Sequence, residues 1–269
     1  MWSYCFVRGW LLRYNYLHAA KILVSSSENV CIRSPSGDTD IFVIALGLIE
    51  DRQRVKFDYG NETNGKEIWL DEIKLPDNHL KTLIGLHAFT GNDYVPAFFR
   101  KRKIQCWKIM LKEENFVDMF SQLGNEWDLD DGLKNNLERY VCSLYGSKET
   151  NVKLTRLCLF EQKQKKGIVI NLSNIPPCRA TLLFQMERAN YVAKLWKMTG
   201  IAMVDAPSPV RYEWDDDGGI QWIEEMLPDD ISVLFIHEDN SDDEEIYDNI
   251  EDFFGEEESE IDDDSDFED

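Results

Sequence analysis

The sequence predicts an α/β region, then an all-helical region, then a disordered acidic tail. Three observations carry that division. Before residue 75, short β-rich runs alternate with turn residues and one apolar element; after residue 112, apolar residues recur at three- and four-residue spacing; beyond Arg211 there is no Lys or Arg. The three regions are drawn as 1–112, 113–236 and 237–269.

Residues 13–26 have helical spacing, and Asn29-Val-Cys-Ile-Arg33 is a short β-rich run. Ser34-Pro-Ser-Gly-Asp-Thr-Asp40 follows as a loop, then the apolar element Ile41 to Ile49. Helix, strand, acid-bearing loop and apolar element, in that order, are what an α/β sheet presents where a strand ends at a site. Residues 54–59 and 66–73 flank Gly60-Asn-Glu-Thr-Asn-Gly65 and read as a hairpin. From His79, Leu80, Leu83, Ile84 and His87 share one helical face that runs into Thr90-Gly-Asn-Asp-Tyr94, and a second helix starts near Lys103 with Trp107, Ile109 and Met110. Leu133, Leu137, Tyr140, Val141 and Leu144 mark a helix stopped by Gly146. Leu182, Met186, Ala189, Ala193 and Trp196 mark a longer one ending near Gly200, and Pro176-Pro177 breaks the chain between them. Trp214 and Trp222 are expected to tuck against these helices.

The 269 residues carry a formal charge of -22, but the charge is unevenly placed. Residues 212–269 hold 27 of the 51 acids, so the first 211 residues are net +5. Such asymmetry excludes a uniformly acidic surface and suits a body with anionic partners, nucleic acid among them. From Glu238 on there are 19 acids in 32 residues and no base, too much charge to bury a core. The six cysteines are scattered without a C-x-x-C pair, which points to buried small side chains in a reducing compartment and away from a disulfide framework or zinc site. The longest apolar run, Ile41 to Ile49, falls well short of the ~20 residues that a membrane span needs, and no secretory leader is legible. An intracellular protein with no membrane partner is the expectation.

Asp38 and Asp40 close the first loop, and Asp93 sits in the Gly-Asn-Asp turn. Carboxylates converging from separate loops are how proteins hold Mg²⁺, and a pair of such ions can drive phosphodiester hydrolysis. Capping of the following helix by Asp38 and a turn role for Asp93 are the commoner uses of isolated aspartates at such positions. Arg100, Lys101, Arg102 and Lys103 follow Ala97-Phe-Phe as four consecutive bases. They suit a contact to nucleic-acid phosphates, a solvated helix start or a nuclear-localisation signal.

Ser34-Pro-Ser-Gly-Asp-Thr-Asp-Ile-Phe-Val-Ile and Leu86-His-Ala-Phe-Thr-Gly-Asn-Asp-Tyr-Val-Pro-Ala-Phe-Phe together resemble the internal half of the flap-endonuclease/XPG-type nucleases, a branch of the PIN-like fold. The likeness is greatest to a transposon-associated animal family. It extends through Tyr140-Val-Cys-Ser-Leu-Tyr-Gly146, Ile175-Pro-Pro177, Arg188-Ala-Asn-Tyr191, Trp196 and Pro207-Ser-Pro209, about residues 13–235. The resemblance implies a partial PIN-like parallel sheet with helices in the first region, with Asp38, Asp40 and Asp93 as Mg²⁺ ligands and catalytic acids. It also implies a backbone-gripping helix-turn-helix from Tyr94 to Met110.

Three departures accompany it. The acids that relatives carry ahead of Leu-His-Ala are replaced by Gly9-Trp10-Leu11-Leu12, the relatives' Gly-Lys-Gly turn is Arg100-Lys101-Arg102, and a cysteine-rich end gives way to the acidic tail. Replacing Gly removes the residue that most readily takes φ > 0. Phosphodiester hydrolysis depends on electrostatic stabilisation by a full metal site. The expectation is a degenerate or N-terminally incomplete structure-specific nuclease-like protein, nuclear, with little or no activity and residual binding to flap or single-stranded DNA. The alternative is a non-catalytic interaction protein that binds basic proteins through the helical region and tail. A tail that folds back on Arg100–Lys103 would join the two.

Overall fold

The computed structural model describes residues 29–33, 39–59, 66–167, 171–199, 201 and 204–215. The expected helix at 13–26, Asp38, Trp222 and the acidic tail lie outside the described residues.

Strand β1 (Val30–Arg33) pairs in parallel with β2 (Val55–Tyr59), which pairs antiparallel with β3 (Lys66–Trp69). Parallel neighbours need a crossover, and helix α1 (Thr39–Leu48) supplies it. The sheet is therefore mixed, with order β1-β2-β3, rather than purely parallel: the hairpin legible at 54–73 adds its second strand in the opposite sense. Register places Ile32 beside Phe57 and Phe57 beside Ile68, one apolar row across all three strands. Phe42 of α1 meets Phe57 edge-on at 5.0 Å, which seats the helix on that row. Among the described residues β1 is at the sheet edge, and its residues alternate, so Ile32 is buried and Cys31 faces out. The expectation of buried cysteines thus holds for Cys106 and Cys142 but fails for Cys31, while Cys158 and Cys178 are half-buried.

Helix α2 (Asp77–Phe89) is the hub, packed by α1, α4 (Glu114–Gln122) and α7 (Arg179–Lys197). Its last six residues are all buried. The closest approach is at Gly85, where an added Cβ would overlap the Phe120 carbonyl oxygen and lie 3.1 Å from Leu123 Cβ. Backbone oxygen cannot rotate away, so Gly85→Ala is expected to cost about 3 kcal/mol by prising α2 from α4. Urea denaturation would show it as a lower midpoint at unchanged slope.

The described residues beyond 112 are mainly helical, as the periodicity predicts. Helices α3 (Lys103–Met110), α4 and α7 pack on α2, α5 (Asp131–Leu144) packs on α3, α4 and α7, and α6 (Val152–Lys165) packs on α5. Asp130 caps α5 by accepting from the Leu133 N–H at 2.8 Å. Gly146, at φ 76°, ends α5 with the Ser147 N–H returning to the Cys142 carbonyl at 3.0 Å. Tyr140 lies at the centre of this half: its ring meets Phe120 and Phe116 edge-on at 4.7 and 5.3 Å, and its hydroxyl donates to the Cys106 carbonyl at 2.9 Å. One apolar core runs from Ile32 to Trp214, across the boundary drawn at residue 112. Trp214 is tucked in as expected, 5.5 Å from the Tyr191 ring. No helix among the described residues is long and apolar enough to cross a membrane.

Candidate functional site

The two motifs singled out in the sequence meet where α1, α2 and α7 converge. Asp40 stands in the first turn of α1, and His87 in the last turn of α2. His87 Nε2 lies 2.7 Å from Asp40 Oδ1, and the two residues are 7% and 5% exposed. Trp196 of α7 tilts against the imidazole at 5.8 Å between ring centroids. A carboxylate at this depth needs a hydrogen-bonding partner, which is what binds two motifs 47 residues apart.

The end of α2 is closed by a cation. Lys103 is exposed as a residue, but its ammonium turns inward to the His87 carbonyl at 3.2 Å, Thr90 Oγ1 at 3.4 Å and the Gly91 carbonyl. Helix C-termini leave carbonyls without intrahelical donors, and a lysine there satisfies them and offsets the negative end of the dipole. Burial pushes the Lys103 pKa down to about 8, against the opposing pull of the Asp40 charge.

The loop from Thr90 to Arg102 is built tightly onto this end. Gly91 takes φ 115°, and a Cβ there would sit 2.6 Å from Ala97 Cβ, so only glycine fits. Asn92 donates from Nδ2 to the Ala88 carbonyl at 3.0 Å and accepts at Oδ1 from the Tyr94 N–H at 2.8 Å. Gln185 of α7 donates to the Phe89 and Pro96 carbonyls, both at 3.1 Å. Asp93 is carried exposed on this rigid turn.

Of the three acids singled out, Asp40 is buried against His87, Asp93 faces solvent, and Asp38 lies outside the described residues. Among the described residues no group of three or more His, Cys, Asp or Glu comes together to hold a metal ion. Mg²⁺ is ordinarily held by one or two carboxylates with several waters. An ion taken by Asp40 would have to share a carboxylate already bonded to an imidazole, so the described residues alone do not make a Mg²⁺ site. Chemically, Asp40 and His87 form a buried strut that orients the end of α2.

The four consecutive bases divide. Lys101 lies with its ammonium 4.6 Å from the Tyr145 ring centroid, where burial lowers its pKa, and Lys103 caps α2. Arg100 and Arg102 stay exposed. Arg100 takes φ 55°, with its guanidinium 5.3 Å from the Phe99 ring. This left-handed conformation, which glycine takes most readily, is therefore imposed by the closed loop on an arginine, at a cost of roughly 1–2 kcal/mol.

Sequence reasoning passed over His87 as a partner for Asp40, although a histidine among Leu80, Leu83 and Ile84 on one helical face was the available signal. The later motif residues serve the packing. Arg188 donates twice to the Glu213 carbonyl, at 3.1 and 2.8 Å, and the Tyr191 hydroxyl donates to the Pro207 carbonyl at 3.0 Å. Asn190 accepts from the Gly124 N–H at 2.8 Å and donates to the Glu126 and Trp127 carbonyls at 3.0 and 2.8 Å. No family model matches the chain, and no curated protein or solved structure matches it either.

Proposed function

We propose that the chain is a nuclease-like protein of PIN-like, flap-endonuclease/XPG-type ancestry, which binds the nucleic-acid backbone through the α2–α3 turn and has little or no nuclease activity. The observation that carries this reading is the union of Asp40, His87 and Lys103. It joins the Asp-Thr-Asp motif, the His-Ala-Phe-Thr-Gly-Asn-Asp motif and the basic turn at one end of α2. Exposed Arg100 and Arg102 beside Asp93 are the groups that would meet phosphates, a contact needing charge but no base recognition. Residual Mg²⁺ would be held by Asp38, Asp40 and Asp93. A Mg²⁺ titration followed by NMR is expected to move signals at these residues at millimolar metal, and unmoved signals would remove the ion from the proposal.

Fluorescence anisotropy with flap and single-stranded DNA tests the binding. Arg100→Gly combined with Arg102→Ala is expected to weaken affinity about tenfold at about 50 mM salt and to make the salt slope shallower by about 2. Arg100→Gly alone should also raise stability by about 1 kcal/mol, because glycine adopts φ 55° without strain. Equal affinity of wild type and double variant would overturn the assignment of the turn.

The burial of Asp40 favours the second reading, a non-catalytic interaction protein whose helical region and tail bind basic partners. Capture of histone-like basic proteins by the full chain, without Mg²⁺-dependent DNA cleavage, would support it.

A further inference from the structure

Helix α3 is apolar on two sides. Cys106, Ile109 and Met110 are buried in the core, yet Ile104, Lys108 and Leu111, spaced to share one face, stand outward, with Ile104 57% and Leu111 43% exposed. Phe99, 45% exposed, precedes the helix, and Arg100 and Arg102 flank it. An outward helix face is ordinarily polar, so an apolar stripe edged with cations marks a surface made to be covered.

The chain carries a segment of complementary pattern. Ile246, Tyr247, Ile250, Phe253 and Phe254 have the spacing of one helical face, and every other residue from 242 to 258 is Asp or Glu save Asn249 and Gly255. Twenty-six residues, 216–241, separate it from Asp215, the last described residue. A random-coil chain of that length would span roughly 30 Å, on the scale of a domain of this size, and a tether would hold the segment near millimolar effective concentration. Leu154 and Phe160 on α6 are also exposed among lysines, but their six-residue separation sets them about 120° apart around that helix, so they share no narrow stripe.

We propose that residues 242–258 dock on the Phe99–Leu111 face of α3 in the same chain, their apolar stripe on Ile104 and Leu111 and their acids against Arg100, Arg102 and Lys108. Ordering on contact with such a surface is the mode by which amphipathic segments bind. The docked tail would cover the turn assigned above to phosphates.

Zero-length carbodiimide cross-linking of the full chain without nucleic acid, read by mass spectrometry, tests this separately from the nucleic-acid reading. Links from carboxylates of 242–258 to Lys108 and Lys112 should dominate in the monomer at every protein concentration. They should fall at least fivefold in Ile104→Ser/Leu111→Ser and in Phe253→Ser/Phe254→Ser, the second of which leaves the core of the described residues unaltered. Links spread evenly to Lys153, Lys163 and Lys165, links that survive the Phe253/Phe254 change, or links formed only between two chains would each overturn the proposal.

Discussion

Replacing His87 with leucine is expected to lower stability by about 3–5 kcal/mol, because it takes the imidazole from a carboxylate that is 5% exposed. Leucine fills much of the volume but offers nothing to Asp40 Oδ1. The Asp40→Asn change should be milder, about 1–2 kcal/mol, since an amide still bonds to Nε2 and carries no buried charge. That ordering separates the loss of a buried hydrogen-bonding partner from simple repacking around Trp196. Urea denaturation of both variants measures it, and equal losses would contradict the account. Because Lys103 draws on the His87 carbonyl, the His87 variant should also loosen the α2–α3 turn, visible as faster amide exchange at Gly91 and Asn92.

Asn190→Leu is expected to cost about 3 kcal/mol, since it strips one buried N–H and two half-buried carbonyls of their partner. The loop after α4 lies flat on α7: Gly124 has φ 80°, and a Cβ there would sit 2.6 Å from the Ala193 carbonyl carbon. The buried Gly124 N–H, bonded at 2.8 Å, loses most, while the bonds at 3.0 and 2.8 Å to the Glu126 and Trp127 carbonyls lie nearer the surface. Asn190→Asp should fail as well, because the acceptor for Gly124 survives while an oxygen is turned toward the Glu126 and Trp127 carbonyls. A thermal melt of each variant checks this, and a loss under 1 kcal/mol would mean that the loop finds other donors.

Much of the local structure was legible before any coordinates. The hairpin was marked by Gly60 and Gly65 between β-rich runs, α5 by Leu133 to Leu144 with Gly146 as its stop, and the break before α7 by Pro176-Pro177. These signals are local: a turn conformation, a helical period and a missing N–H each act within a few residues. What the flanking charges did was less legible. Four consecutive bases looked like one patch, yet Lys101 turns to Tyr145 and Lys103 to the end of α2, because each finds an acceptor or a ring from a distant part of the chain.

By itself, then, the sequence located the hairpin at 54–73, α2, the start of α3, α5 and α7, though neither α4 nor α6, and showed that the anionic charge is concentrated beyond Arg211. Periodicity and composition are properties of neighbouring residues and need no fold to be read. Only the tertiary structure decided that Asp40 is buried against His87, that Arg100 takes the left-handed conformation that glycine adopts most readily, and that α3 turns Ile104 and Leu111 outward. Each of these depends on which residues 16, 47 or 96 positions apart are brought together, as Lys103 with His87, Asp40 with His87 and Gln185 with Phe89 are. Burial then sets whether a charge serves as a strut or as a contact.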